Sequence, residues 1–358
     1  KPHRLAAFTG SMGSGIQWSR GGESLFYDRG GRLWRVDIDP DTGRPLEENG
    51  VFTGHDLHGV FSLSEDGQRM VLEQRQGGLN LWVFPLENDS IRPNGTQLTR
   101  GSLFRQFARL SPDGNTVAFS TFEDEGLSRS RGVSVVSTDG GEERTVSKTP
   151  SFHLAWSPDG SELAFVGEHE GNNRVFITAV DGGTQRMVGQ SSAWPQTGLS
   201  WCRTGSILFI TPDRREIVAV DPRRNTETVV PRDSLLTALF PVCSPDGSEA
   251  AVFGGGVDRE VGTRIIDLRT GEDRLVFAND LAFPHTWPEG GRIYAQDFSL
   301  SEYEDTPREV HVPADVRTLG SALSFHEVSR DRRWALMAIA NPTTSDVFLI
   351  EYEDGGRP

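Results

Sequence analysis

Cysteine is nearly absent: Cys202 and Cys243 are the only two in 358 residues. That excludes a disulfide framework and a cysteine-based zinc site. Two buried thiols are the expected arrangement, with a bridge between them as the alternative. Long apolar runs are missing too. No stretch of about 18 residues is apolar enough to cross a membrane as a helix, so no direct membrane insertion is expected. Lys1-Pro2-His3-Arg4 is not followed by the apolar core of a signal peptide. Positive charge is scarce: Lys+Arg 36 against Asp+Glu 51 leaves −15. That balance argues against nucleic acid and anionic lipid as general partners. Nucleophile elbows (G-x-S-x-G), H-E-x-x-H helices, P-loops and G-x-G-x-x-G helix starts are also absent. No cofactor, metal or catalytic residue is therefore expected, and nothing in the motifs points to an enzyme.

Turns are abundant instead. Gly 40 and Pro 20, without long helical periodicity, predict many short strands. The organising stretch is L-A-W-S-P-D-G-S-E-L-A-F-V-G, from Leu154 to Gly167. Ser157-Pro158-Asp159-Gly160 has the residue types of a type I turn: Pro presets φ, Asp tolerates the bridge region, and Gly accepts φ > 0. Strand-forming residues flank it on both sides. Equivalents of the turn serine are Ser19, Ser64, Ser111, Cys202, Ser244, Pro288 and Ser329, spaced with Ser157 at 41 to 47 residues. A period in the forties with four short strands per unit defines a β-propeller blade.

Eight markers predict eight blades. Ala7-Phe8-Thr9-Gly10 matches Val51-Phe52-Thr53-Gly54, the fourth strand of the first unit, whereas the last unit stops at its third strand, Val347–Tyr352. The expectation is an all-β, eight-bladed propeller of four-stranded antiparallel blades, one domain over residues 1–358. An N-terminal strand would complete the last blade and remove exposed sheet edges.

The repeats resemble the TolB-like family of WD-repeat-like propellers, most sharply at Trp156–Gly160, Leu110–Gly114 and Cys243–Gly247. Similar repeats occur in extracytoplasmic domains of bacterial regulators and kinases, and in the non-catalytic propellers of dipeptidyl-peptidase-like and tricorn-like peptidases. The resemblance implies a periplasmic or extracellular location and a non-enzymatic sensor or interaction domain. A substrate-gating propeller of a serine peptidase is the alternative, with a propeller lyase third.

Candidate site residues follow from the architecture. Loops that feed first strands are forced towards the axis, and these segments carry His58, Arg105, Gln106, His153, Gln196, His285 and His326. Convergent polar groups in a concave site are what ligand pockets show, so a peptide, protein or small polar ligand is expected on that funnel face. The long loops expected between second and third strands, Phe122–Gly132 and Ser299–Arg308, add an acidic rim at Glu123, Asp124, Glu125, Glu302, Glu304 and Asp305. Trp18, Trp156, Trp201 and Trp287 share one repeat position and are expected between blades. Asp37, Asp39, Asp41 and Glu48 have calcium-loop spacing, but Thr42 stands where the loop needs glycine, so an ordinary turn is expected.

Overall fold

The computed structural model describes residues 12–351 except 20–22, 30–31, 43, 51–60, 64–68, 77, 89, 124–129, 196, 213–215, 233, 279–282, 289–291, 296–297, 302–303, 310–321 and 341–343. Among these residues every regular element is a β-strand. They fall into two compact units. One comprises Lys1–Gly78, Glu123–Arg129 and Pro342–Pro358, the other Leu79–Phe122 and Ser130–Asn341.

The smaller unit holds the first repeat as an antiparallel sheet of Met12–Trp18, Ser24–Arg29, Arg32–Ile38 and Pro45–Gly50. Alternation puts Leu25, Tyr27, Val36 and Ile38 into a buried cluster with Trp34 packed on it. A second sheet joins Phe61–Leu63, Arg69–Gln76 and Thr344–Glu351.

In the larger unit the fourth to seventh repeats each give one four-stranded antiparallel sheet in chain order, and the third gives four antiparallel strands in the same order, joined through Phe104 to Leu79. Their first strands are Phe104–Leu110, Ser151–Trp156, Leu199–Trp201, Leu239–Cys243 and Pro284–Thr286. A sixth sheet begins with Ala322–Val328 and Trp334–Ala340 of the last repeat and continues with Leu79–Glu87 and Thr96–Gln97 of the second. The six first strands neighbour one another in chain order, and Ala322–Val328 also lies beside Phe104–Leu110.

Eight separate blades are expected; in the larger unit six first strands neighbour one another. The other two sheets, that of the first repeat and that of Phe61–Leu63, Arg69–Gln76 and Thr344–Glu351, belong to the smaller unit, and the second and eighth repeats exchange third strands. Leu79–Glu87 pairs with Trp334–Ala340, and Thr344–Glu351, expected as the last repeat's own third strand, pairs with Arg69–Gln76. Both exchanged strands carry a run of four consecutive apolar residues, Leu81–Phe84 and Val347–Ile350. Such a run marks a strand apolar on both sides but does not say which second strand is the partner. The proposed closing strand at Leu5–Thr9 lies outside the described residues.

The core sits in the seams between sheets. Ala164, Val166 and Ile177 meet Ile207, Phe209 and Val218 of the next sheet, all essentially inaccessible. Leu208 and Ile210 on the other face meet Ala250, Val252 and Ile266. Each such side chain contributes about 1.5–3 kcal/mol by leaving water, so adjacent sheets are held by apolar burial on both faces.

The turns are built as their residue types require. Gly160 N–H donates to the Ser157 carbonyl at 2.9 Å. The Ser157 hydroxyl donates to Asp159 at 2.7 Å and accepts from Glu162 N–H at 2.9 Å. Ser111-Asp113, Ser244-Asp246 and Ser329-Asp331 repeat the side-chain bond. The recurrent aspartates are thus turn fittings, and hydrogen bonding from Ser157 and Ser161 holds the Asp159 carboxyl at about 2. Gly160 has φ 76°. Gly160→Val is expected to cost on the order of 1–3 kcal/mol, because a β-branched residue is strained there. Thermal denaturation checks it, and an unchanged midpoint would mean that the turn geometry is different.

Candidate functional site

The six first strands end together at their turns and enclose one cavity of roughly 150 Å³. Its wall is built from the same repeat positions of all six sheets. Trp156, Trp201 and Trp287 line it, as do the turn prolines Pro112, Pro158 and Pro245. Two residues before each turn marker stand Arg109, Ala155, Ser200, Val242, Thr286 and Glu327, all cavity-lining. Four of these six are small or uncharged, so the two charges stand out. His285 joins them on the wall.

Arg109 and Glu327 come from sheets that meet where the last first strand lies beside the first. Glu327 accepts a hydrogen bond from Leu110 N–H at 2.5 Å. Burial pushes its carboxyl up to about 7, with Arg109 and the Leu110 N–H pulling the other way. Burial likewise lowers Arg109, opposed by Glu327. Both side chains lie deep in the unit yet keep part of their surface open to the cavity. Arg109 donates from Nη1 to the Ala108 carbonyl at 3.1 Å, its one hydrogen bond among the described residues. A guanidinium has five N–H donors. The remaining ones are available to a ligand.

The far ends of the first strands carry phenylalanines. Phe107 and Phe240 adopt φ of 55° and 53° at places where strand register shifts. Such conformations are strained for bulky residues. They bring the Phe107 ring to 4.1 Å and the Phe240 ring to 6.0 Å from His153. Phe240 in turn lies 5.3 Å from Phe283. Burial, reinforced by Arg109 and His285, drives His153 and His326 down to about 3. His153 Nδ1 and His326 Nε2 are buried without hydrogen-bond partners among the described residues.

These shifts set a pH dependence. The two histidines are neutral in the fold but protonate near 6.5 when unfolded, so their contribution is lost as pH falls from about 6.5 towards 3. Glu327 has the opposite sign. It keeps its proton up to about 7 in the fold and loses it near 4.5 unfolded, so it disfavours folding as pH rises through that window. Two histidines outweigh one carboxyl, and stability from these groups peaks near pH 6.5. Denaturant midpoints across pH should show that peak, with a shallower acid limb in His153→Gln and His326→Gln. An acid limb unchanged in both variants would contradict it.

The sequence candidates land in several places. Arg105, Gln106, His153, His285 and His326 lie within first strands rather than in the loops before them. His153, His285 and His326 are brought together with Arg109 into one electrostatic group. Arg105 points elsewhere. Its guanidinium donates to Asn80 Oδ1, the Leu103 and Arg100 carbonyls and Glu143 at 2.7–3.1 Å, and the residue is 3% exposed. It clamps strands together instead of facing the mouth. Gln106 is half-buried and pairs with Ser120. His58 and Gln196 lie outside the described residues.

The acidic rim is dispersed as well. Ser299–Arg308, expected as a loop between second and third strands, forms the hairpin of Phe298–Ser301 with Glu304–Glu309. Glu304 and Asp305 therefore begin a fourth strand, since the second strand, Arg292–Ala295, is followed almost at once by the third. Glu123 is half-buried; Asp124, Glu125 and Glu302 lie outside the described residues. Asp39 Oδ1 accepts from the Asp41 and Thr42 N–H groups, the ordinary turn expected there.

Two expectations about seams resolve differently. Trp156 Nε1 donates to the Arg109 carbonyl at 2.9 Å, a bond between adjacent sheets. Trp201 bonds Gly205 in its own turn, and Trp18 is 51% exposed. Cys202 and Cys243 are not free thiols; they form a disulfide joining two neighbouring sheets. Sequence spacing carries no information on that distance; the adjacency of the strands Leu199–Trp201 and Leu239–Cys243 supplies it.

Arg109 and Glu327 were missed by reasoning from loops. The available signal was a charge at a repeat position that otherwise holds Ala, Ser, Val or Thr.

The arrangement defines a β-propeller with a TolB-like fold. It is similar to TolB from Acinetobacter baumannii, with a TM-score of 0.51 and 11% identity over 92% of this chain and 81% of that one. It is also similar to a chain of the nidogen/laminin complex, with a TM-score of 0.50 and 11% identity over 75% of this chain and 98% of that one. A puromycin hydrolase structure aligns with a TM-score of 0.47 and 17% identity over 91% of this chain and 57% of its own. No family model matches the sequence, and no curated protein matches it.

Proposed function

We propose that this chain is a non-enzymatic binding propeller, a sensor or interaction domain whose ligand or partner segment enters the axial cavity from the turn face. The observation that carries this reading is Arg109, which lines the cavity with most of its donors unspent. The sequence placed the ligand at the opposite end of the first strands; the phenylalanines there favour the turn face instead. Nidogen in its complex with laminin is a propeller that takes a protein partner, which supports a protein or peptide as the ligand. The Cys202–Cys243 bridge supports an oxidising compartment, periplasmic or extracellular.

A thermal-shift screen of peptides and small acids tests the reading. A ligand that binds the folded state raises the midpoint with concentration. The shift should appear in wild type and vanish in Arg109→Gln. A ligand that shifts both equally, but loses its effect in Glu123→Ala, would move the site to the opposite rim.

One observation favours a second reading. Glu327, with its carboxyl near 7 beside Arg109, is matched to proton transfer at neutral pH, as a propeller lyase acting on an acid would need. Glu327→Gln separates the two: it should leave binding intact, and only an enzyme would lose turnover.

A further inference from the structure

The turn face carries a second concavity. A groove of about 490 Å³ runs between the sheets that start at Ser151 and Leu199. It is lined by Arg186, Arg203, Arg223 and Arg224, and it shares Ser157, Pro158, Trp201 and Arg203 with the axial cavity. Groove and cavity are therefore continuous.

The charge on this surface runs against the rest of the chain. Cavity and groove together present six arginines, the four above with Arg109 and Arg330, against the carboxylates of Asp159, Glu162, Asp221 and Glu327. The chain as a whole is at −15. Three of those carboxylates are already occupied. Asp159 serves its turn through Ser157 and Ser161. Asp221 accepts the Arg223 and Arg224 N–H groups, and Glu162 meets Arg186 at 3.4 Å. The Arg223 guanidinium has no ion pair among the described residues. Arg224 is 82% exposed and touches Asp221 only at 3.4 Å. A local positive surface on an acidic protein attracts and orients acidic partners while the remaining surface repels them.

We infer that the partner is an acidic peptide segment that lies along the Arg186–Arg203–Arg223–Arg224 groove and seats one carboxylate on Arg109 in the axial cavity. This rests on the cavity reading above and adds the chemistry of the occupant. Arginine suits the task because its planar fork meets a carboxylate through two parallel hydrogen bonds. The tryptophan and proline side chains beside Arg109 give the pair an apolar flank, where a charge pair is stronger than in bulk water.

The test is a titration of the whole chain with fluorescein-labelled polyglutamate, read by polarisation, with polylysine as the charge-reversed probe and intrinsic tryptophan fluorescence as a second readout. Wild type should bind polyglutamate and not polylysine, and binding should weaken as salt rises. Arg109→Gln should weaken it at least about tenfold, the value of a charge-assisted hydrogen bond. Arg109→Lys should fall between the two. The exposed double variant Arg223→Glu, Arg224→Glu leaves the core untouched and should lose binding as strongly. Absent binding in wild type, or binding as tight as wild type in Arg109→Gln or in the double variant, overturns the inference. If a neutral peptide perturbs the cavity tryptophans while polyglutamate does not, the acidic partner is wrong and the cavity reading stands. If no probe perturbs them, both fall.

Discussion

Removing the Cys202–Cys243 bridge should cost about 4 kcal/mol of folding stability. The bond closes a loop with a sequence separation of 41, and a loop of that size lies between the roughly 3 kcal/mol of a short loop and the 4.7 of a long one. The bridge ties two neighbouring sheets at the ends of their first strands, so its loss also loosens the wall that holds Ser200 and Trp201. Cys202→Ala with Cys243→Ala, compared with wild type in denaturant, gives the difference directly. Cys202 is 1% exposed, and alanine there introduces no polar group. Thiol titration of the unfolded chain should find no free sulfhydryl before reduction and two after. Two free thiols in the unreduced protein, or no loss of stability in the double variant, would contradict the bond.

Arg264→Ala should cost a comparable 3–5 kcal/mol, and for a different reason. Arg264 is 2% exposed and pairs with Asp273 at 2.7 Å, whose side chain is 0% exposed. It also bonds Asp258 in the turn before its own strand. Ser234 donates to the other oxygen of Asp273. The network joins two strands, a turn and the segment leading into the sheet. Removing the cation leaves Asp273 buried and uncompensated, which is the expensive way to break an ion pair. Replacing both partners, Arg264→Met with Asp273→Leu, should recover most of the loss, because no charge is then stranded. Equal destabilisation by the single and double variants would show that packing, not charge, sets the cost.

How much of this was legible follows from what each feature depends on. Turns depend on residue type at adjacent positions, so Ser157-Pro158-Asp159-Gly160 and its relatives could be read with their period, and the strands around them. Pairing between distant strands depends on competition among similar partners. Leu79–Glu87 and Thr344–Glu351 carry the same kind of continuous apolar run, Leu81–Phe84 and Val347–Ile350, so their exchange between two repeats left no mark in the sequence. The candidate site was legible in part. His153, His285 and His326 could be placed near the axis because they precede turn markers at short distances. Arg105 could not be told from Arg109 by position alone: a strand bulge at Phe107 separates them, sending one to Glu143 and Asn80 and the other to the cavity. Nor could distance along the chain reveal that Glu327 and Arg109 lie on touching strands. The contact between Phe104–Leu110 and Ala322–Val328 decides that.

The most direct test of the axial cavity as the binding site uses its own tryptophans. The chain has eight, and Trp156, Trp201 and Trp287 line the cavity. With 5-fluorotryptophan incorporated and each resonance assigned by single substitution, a titration with polyglutamate should shift those three saturably. Trp82 and Trp334, which lie outside the cavity lining, should stay in place. Shifts confined to tryptophans other than those three, with Trp156, Trp201 and Trp287 unmoved at saturation, would contradict the account.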